Sequence, residues 1–285
     1  MKKLIALYLC CALLSIPLAS AVQTSPDAAP TPKKVSSYTV NEYELLKSLS
    51  TESNDTLHQM GYTVNQISKI KNLRSAYADH LEEISHYDRA ALKNLGYTDI
   101  QIDTLQNFDG SESQIMALAA TLNFDLSIDY VTWSAADNRT NARLCYEYEW
   151  NGIPLIKIND AVAVSWNDWT INGKISYITY VQVNGSGNSQ LQAATYVANN
   201  GSAAMGGGFR FPMLINNSSH WAKSGYGIFT LYYNNYRKDL SAYAVYTHYT
   251  VSATPSFSIP GYGSISFNKS IDYLAEAWVD MACSN

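Results

Sequence analysis

The spacing of apolar residues changes its period once along this chain, and that change limits the fold more than any motif does. From Asn41 to about Phe124 the apolar residues recur at helical intervals, as in YELLKSL (43–49) and IMALAATLNF (115–124). Beyond Asp125 they alternate with period two in runs rich in Tyr, Val, Ile, Ser and Thr. Such runs are RLCYEYEW (143–150), DAVAVSW (160–166), KISYITYVQV (174–183), YGIFTLYY (226–233), SAYAVYTHYTVSA (241–253) and GSISF (263–267). Turn signals separate them, among them Asn172-Gly173, Asn184-Gly185 and Asn200-Gly201. Many short strands with no helix between them build a sandwich or barrel. The expected fold is α+β in two domains, a small helical domain (38–126) and then an all-β antiparallel sandwich (127–285). The tail SIDYLAEAWVDMA (270–282) carries both periods; it reads as strand, which would bring Cys283 within reach of Cys145.

The helical half repeats itself. LHQMGYTVNQISKIKNL (57–73) and LKNLGYTDIQIDTLQNF (92–108) keep Leu, Gly-Tyr-Thr, Gln-Ile and Asn in register at a spacing of 35. In each copy a glycine, Gly61 or Gly96, closes a short helix in the left-handed conformation that costs glycine little. Thr63 or Thr98 then caps the next helix, with Gln66 or Gln101 completing a capping box and Tyr62 or Tyr97 stapling to Ile67 or Ile102. Two helix-turn-helix units follow, and DGSESQIMAL (109–118) reads as a further start with Ser111 as cap. The Met60-Gly61-Tyr62 and Leu95-Gly96-Tyr97 turns resemble the M-G-F/Y loop of ubiquitin-associated-like three-helix folds, which implies helical packing alone. The β half resembles a widespread group of secreted proteins of Gram-positive bacteria. YEYEW, DAVAVSW, AVYTHYTVSATPSFSI and GSISFN carry that likeness. It implies a compartment and an architecture, and no activity for any residue.

The first residues, MKKLIALYLCCALLSIPLASA, read as a secretory signal peptide (1–21) cut after Ala21: two lysines, an apolar run too short for a stable span, and an A-x-A site. Residues 22–37 mix proline with small polar residues and are expected to form a disordered linker. Losing Lys2 and Lys3 leaves 17 basic against 24 acidic residues, so nucleic acid is excluded as a partner. No further long apolar run follows, and no transmembrane segment is expected in the mature chain. The signal also removes Cys10 and Cys11. Cys145 and Cys283 remain, either as one disulfide or as two buried thiols; a bridge closing so long a loop would stabilise by about 5 kcal/mol on a chain-entropy account.

Catalytic signatures are sparse. The histidines, His58, His80, His86, His220 and His248, contain no H-E-x-x-H pair, and there is no G-x-S-x-G elbow and no phosphate-binding loop. His80 and His86 share a helix with Glu82 and Glu83 and read as a solvated face. MGGGFRF (205–211) reads as a kinked or closely approached strand. Glu147 and Glu149 stand at i, i+2 on a strand, about 7 Å apart, a spacing open to acid–base work. Leu144, Tyr146, Tyr148 and Trp150 form the opposite face, so a half-buried strand with a wet acidic side accounts for the pattern. DWTINGK (168–174) matches the start of a calcium loop, but position 12 is Thr179; a type I′ hairpin at Asn172-Gly173 is the expected structure. No metal and no cofactor is expected.

Tyrosine is the compositional outlier, 22 residues with 6 tryptophans, concentrated in the β half. Alternation sets Tyr246 and His248 on one face of their strand and Tyr243 and Tyr249 on the other, so one pair faces outwards. Exposed tyrosine beside Asn and Ser suits glycan or protein surfaces. The chain is therefore expected to be a secreted, extracellular, non-enzymatic binding module. Its binding residues would be drawn from Tyr243, Tyr246, His248 and Tyr249, and its partner would be a glycan, an envelope component or a protein. A membrane-active, pore-forming-like β protein and an extracellular hydrolase working through Glu147, Glu149 or His248 are the alternatives.

Overall fold

A strand stands ahead of the helices. The structure, a computed structural model, describes residues 34–198, 206–248 and, for its backbone alone, 272–282. β1 (Lys34–Asn41) runs antiparallel to β2 (Thr121–Ser134), with Asn41 opposite Thr121. Residues 34–37 therefore belong to a strand and not to the expected linker: VSSYTV alternates and finds a partner edge in β2. The rest of that linker, the signal segment and its cleavage site lie outside the described residues.

The helices fill the connection between these two paired strands. They are α1 (Glu42–Leu49), α2 (Asn54–Gln59), α3 (Val64–Lys71), α4 (Leu73–Ser85), α5 (Arg89–Asn94), α6 (Asp99–Gln106) and α7 (Glu112–Leu118). Thr63 and Thr98 each cap as expected, with Gln66 and Gln101 answering in full capping boxes, and Ser111 caps α7. The helical period stops at Leu118. Leu122 and Phe124, read above as the end of a helix, are fully buried on the inward face of β2.

Two antiparallel sheets make the sandwich. The larger runs β1–β2–β3–β10–β5–β6, where β3 is Arg139–Asn151, β10 His220–Asn234, β5 Thr170–Gln182 and β6 Ser189–Ala193; β9 (Leu214–Ile215) adds to β10. The smaller runs β12–β11–β4–β8–β7, with β12 Asp272–Ala282, β11 Asp239–His248, β4 Asn159–Trp166, β8 Gly206–Pro212 and β7 Thr195–Ala198. The tail is thus a strand, as read from its alternation. Inward aromatics fill the space between the sheets: Tyr148 stacks on Phe211 with centroids 5.3 Å apart, and Trp166 meets Phe229 at 5.1 Å. Gly225 and Gly227 of β10 make this possible, because a Cβ on either would run into the rings of Tyr148 and Tyr146.

Asn172-Gly173 is not a hairpin. β4 and β5 lie in different sheets, so no two-residue connection can join them; the corner is Asn167–Asp168–Trp169, with Trp169 buried and bonded to Asp239. Asn172 instead sits where the β5–β10 register shifts, a bulge beside Gly173, whose absent Cβ would lie 2.7 Å from Thr230 Oγ1. Asp168, the first position of the calcium-like segment, faces Arg237 at 3.9 Å.

The helices close one end of the sandwich. Asn41, Thr121 and Asn151 lie side by side in the larger sheet there, and Asp160 and His248 in the smaller. Gly152 donates its backbone N–H to Leu95, and Asn94 donates its amide to the Gly185 carbonyl. One continuous apolar core runs from Leu46 and Leu81 through Trp150 to Phe229.

Candidate functional site

β11 presents its residues as alternation dictates, but with the chemistry on the inside. Tyr246 and His248 share the inward face with Leu240, Ala242 and Ala244 and are fully buried. They therefore do not form an exposed binding surface: opposite them stand Trp150 and Tyr148, which enclose both rings. Tyr243 points the other way and is half-buried. Tyr249 lies outside the described residues.

Around His248 the fold collects two carboxylates that sequence reading did not single out. Asp160, the second residue of β4, pairs across the sheet with His248, and its Oδ1 lies 2.6 Å from His248 Nδ1. Its other oxygen accepts the Tyr246 hydroxyl, which in turn accepts from Trp150 Nε1 at 3.2 Å. From the helical side comes Glu42, the first residue of α1, with Oε1 3.7 Å from His248 Nε2. Glu42 also accepts from Leu155 N at 2.8 Å, Ile156 N at 3.2 Å and the Tyr77 hydroxyl at 2.5 Å; Ala120 N donates to that hydroxyl. Glu42, Asp160 and His248 are all fully buried.

Such a carboxylate–imidazole–carboxylate arrangement has its charges decided by mutual attraction. Burial alone would drive His248 down, but Asp160 first and Glu42 next outweigh it and raise its pKa to about 9. Burial pushes Glu42 up, while its bond and charge interaction with His248 and the Tyr77 hydroxyl leave it below the ordinary carboxylate value. Trp150, with its ring 5.0 Å from the imidazole, adds a further reason to hold a cation there. The trio is closed to solvent, so its consequence is the joining of helices to sandwich.

His80 also departs from expectation. It is not on a solvated face: half-buried on α4, it meets the Ile153 carbonyl at 2.9 Å, and burial followed by the nearby Lys157 charge lowers its pKa to about 4. His86 stays exposed near Glu82.

The outward face of the larger sheet holds the other concentration of aromatic and acidic groups. Cross-strand register aligns Asp125 of β2, Glu147 of β3, Tyr226 of β10 and Tyr177 of β5 in one row. The row beside it reads Asn123, Glu149, Ser224, Thr179 and, on β6, Leu191. The Tyr177 and Tyr226 rings lie 5.9 Å apart at 39°, and Ile175 and Leu191 beside them are exposed. Glu147 and Glu149 both face outwards, and Glu149 is bonded to Lys223 at 2.6 Å. Their strand has the buried Leu144–Tyr146–Tyr148–Trp150 face that its alternation predicts.

Cys145 is a buried free thiol whose Sγ donates to Asp129 at 3.1 Å; burial, then Asp129, raises its pKa. Its expected partner, Cys283, lies outside the described residues. Among the described residues no cluster of His, Cys, Asp and Glu has the geometry to hold a metal ion, and no helix is long and apolar enough to cross a membrane.

No protein-family profile matches the chain, and no curated protein matches it. Solved structures give distant likenesses. A collagen-binding domain from a Staphylococcus aureus adhesin matches at 6% identity and a TM-score of 0.28, over 54% of this chain and 94% of that one. The C-terminal domain of the Streptococcus agalactiae AgI/II polypeptide BspA matches at 8% and 0.28, over 56% of this chain and 57% of that one. A pore forming protein matches at 10% and 0.26, over 57% and 86%. Likeness this low carries no argument about function.

Proposed function

We propose that this chain is an exported binding module, acting at or outside the cell surface without catalysing a reaction, and that it engages saccharide on the outward face of its larger sheet. The row Asp125–Glu147–Tyr226–Tyr177 is the observation that supports this reading. Tyrosine ring faces offer flat apolar area to the C–H faces of a sugar ring, while carboxylates and the Asn123 amide one or two strands away match its hydroxyls. The spacing between neighbouring strands, about 5 Å, is close to the width of one pyranose ring.

A glycan and cell-wall array probed with the mature chain tests it. Tyr177→Ala and Tyr226→Ala are each expected to weaken binding by about 1–3 kcal/mol while hardly moving the melting temperature. An array without signal, or variants that bind as the parent does, would remove the reading.

A further inference from the structure

We propose that the Glu42–His248–Asp160 trio is a latch that fixes the helical insert to the end of the sandwich, and that loss of the His248 proton opens it. The geometry places the trio across the boundary: Glu42 begins the first helix, while Asp160, the second residue of β4, and His248, which ends the described part of β11, are neighbours in the smaller sheet. His248 lies 2.6 Å from one carboxylate and 3.7 Å from the other, and all three side chains are fully buried. A neutral imidazole would leave two buried carboxylates facing one another across a helix–sheet boundary, an arrangement that burial strongly disfavours. Separating the helices from the sandwich would let water reach Glu42, while Asp160 keeps its Tyr246 hydroxyl.

The groups packed around the trio give the device its working range. His248 binds its proton more tightly when folded, so its contribution is complete below about pH 6.5 and is lost as pH rises towards about 9. Tyr77 on α4, Tyr246 on β11 and Tyr148 on β3 are raised well above the ordinary tyrosine value and stay protonated throughout. Glu42 is lowered and stays ionised. His80 on α4, lowered to about 4, acts only on the acid side of 6.5. Lys157, on the segment between β3 and β4 with Lys69 of α3 and Glu83 of α4 around it, is lowered to about 8 mainly by burial. Lys157 favours the folded state as pH climbs from 8 towards its ordinary value and so opposes His248 there. The clean interval is pH 6.5 to 8.

Native-state amide hydrogen exchange of the full chain, corrected for the intrinsic pH dependence of exchange, tests the latch. Protection of α1 and α4 is expected to fall about tenfold between pH 6.5 and 8 while β3 and β10 keep theirs. In His248→Gln the helices are expected to be poorly protected at pH 6.5 already, with no further change to pH 8. The proposal is overturned by helical protection that does not change across this interval in the parent, by strands that lose protection in step with the helices, or by a folded His248→Gln that keeps the parent's pH response. Should that variant not fold, the parent profile decides alone.

Discussion

The two copies of the repeated segment fold alike and are used differently. In both, the helix ends in the same pair of backbone bonds: Gly61 N to His58 O and Tyr62 N to Leu57 O in the first, Gly96 N to Lys93 O and Tyr97 N to Leu92 O in the second. This is a Schellman ending with its apolar pair, and in both copies the tyrosine serves the old helix and the new one together. Their surroundings then part. The Leu95 carbonyl accepts from Gly152, Asn94 bonds Gly185, and the Tyr97 ring lies against Gly152. Gly185 packs so closely on Ala91 that a Cβ there would be 2.5 Å from the Ala91 oxygen. At the matching positions the first copy has Thr56 for Ala91 and Gln59 for Asn94, and Gln59 is exposed. Shared residues set the turn; unshared ones let the second copy pack against Gly152 and Gly185.

The comparison breaks first at the tyrosines. Tyr97→Ala removes a fully enclosed ring and empties the seam with Gly152, and is expected to cost about 3–5 kcal/mol. Tyr62→Ala, equally buried but leaving that seam intact, is expected to cost measurably less. Urea denaturation at pH 6.5 checks this, and equal losses would mean the seam adds nothing. The glycines come next. Gly61 and Gly96 have φ of 92° and 101°, so alanine at either is expected to cost about 1–2 kcal/mol for conformation alone. At Gly96 the new Cβ would also lie 3.1 Å from Asn151 Cα, adding about 1–3 kcal/mol of overpacking. A Gly61→Ala variant as damaged as Gly96→Ala would mean that the close approach of Asn151 to Gly96 adds nothing.

Much of this architecture is legible because it is local. Capping boxes, glycine endings and the inward stripes of β2, β3, β4 and β11 follow from spacings of two to four residues. What escapes is the long-range part. Nothing near Lys34 announces that it will stand opposite Ile128 of β2, and Asn172-Gly173 looks like a hairpin until β4 and β5 prove to lie in different sheets. The buried trio left a faint signal. Glu42 shares its helix face with Leu46 and Leu49, and Asp160 heads the inward stripe Val162–Val164–Trp166. A carboxylate on an apolar stripe implies a buried partner. Its identity, His248, depends on a cross-strand register that spacing does not fix. The outward row of Tyr177 and Tyr226 depends on register in the same way, and reading β11 alone singled out Tyr246 and His248, which prove to face inwards.

The smallest effect is the most demanding test of local autonomy. Thr63→Ala and Thr98→Ala each remove one hydroxyl that accepts from the third residue of its helix, Gln66 N at 3.4 Å and Gln101 N at 3.2 Å, and each is expected to cost about 1 kcal/mol. The helices they begin are not identical: α6 opens with Asp99, where α3 has Val64. A carboxylate in the first turn favours the positive end of the helix, so α6 keeps some support when its cap is lost. Asp99 is also engaged by Arg89 at 2.8 Å and Lys93 at 3.0 Å, exposed pairs that contribute little and are screened by salt. Thr98→Ala is therefore expected to be the milder change by no more than about 0.5 kcal/mol at low ionic strength, with the two costs converging in 1 M salt. A difference well above that, persisting in salt, would show that docking on the sandwich reaches the cap itself and that the turn is not the self-contained unit its repetition implies.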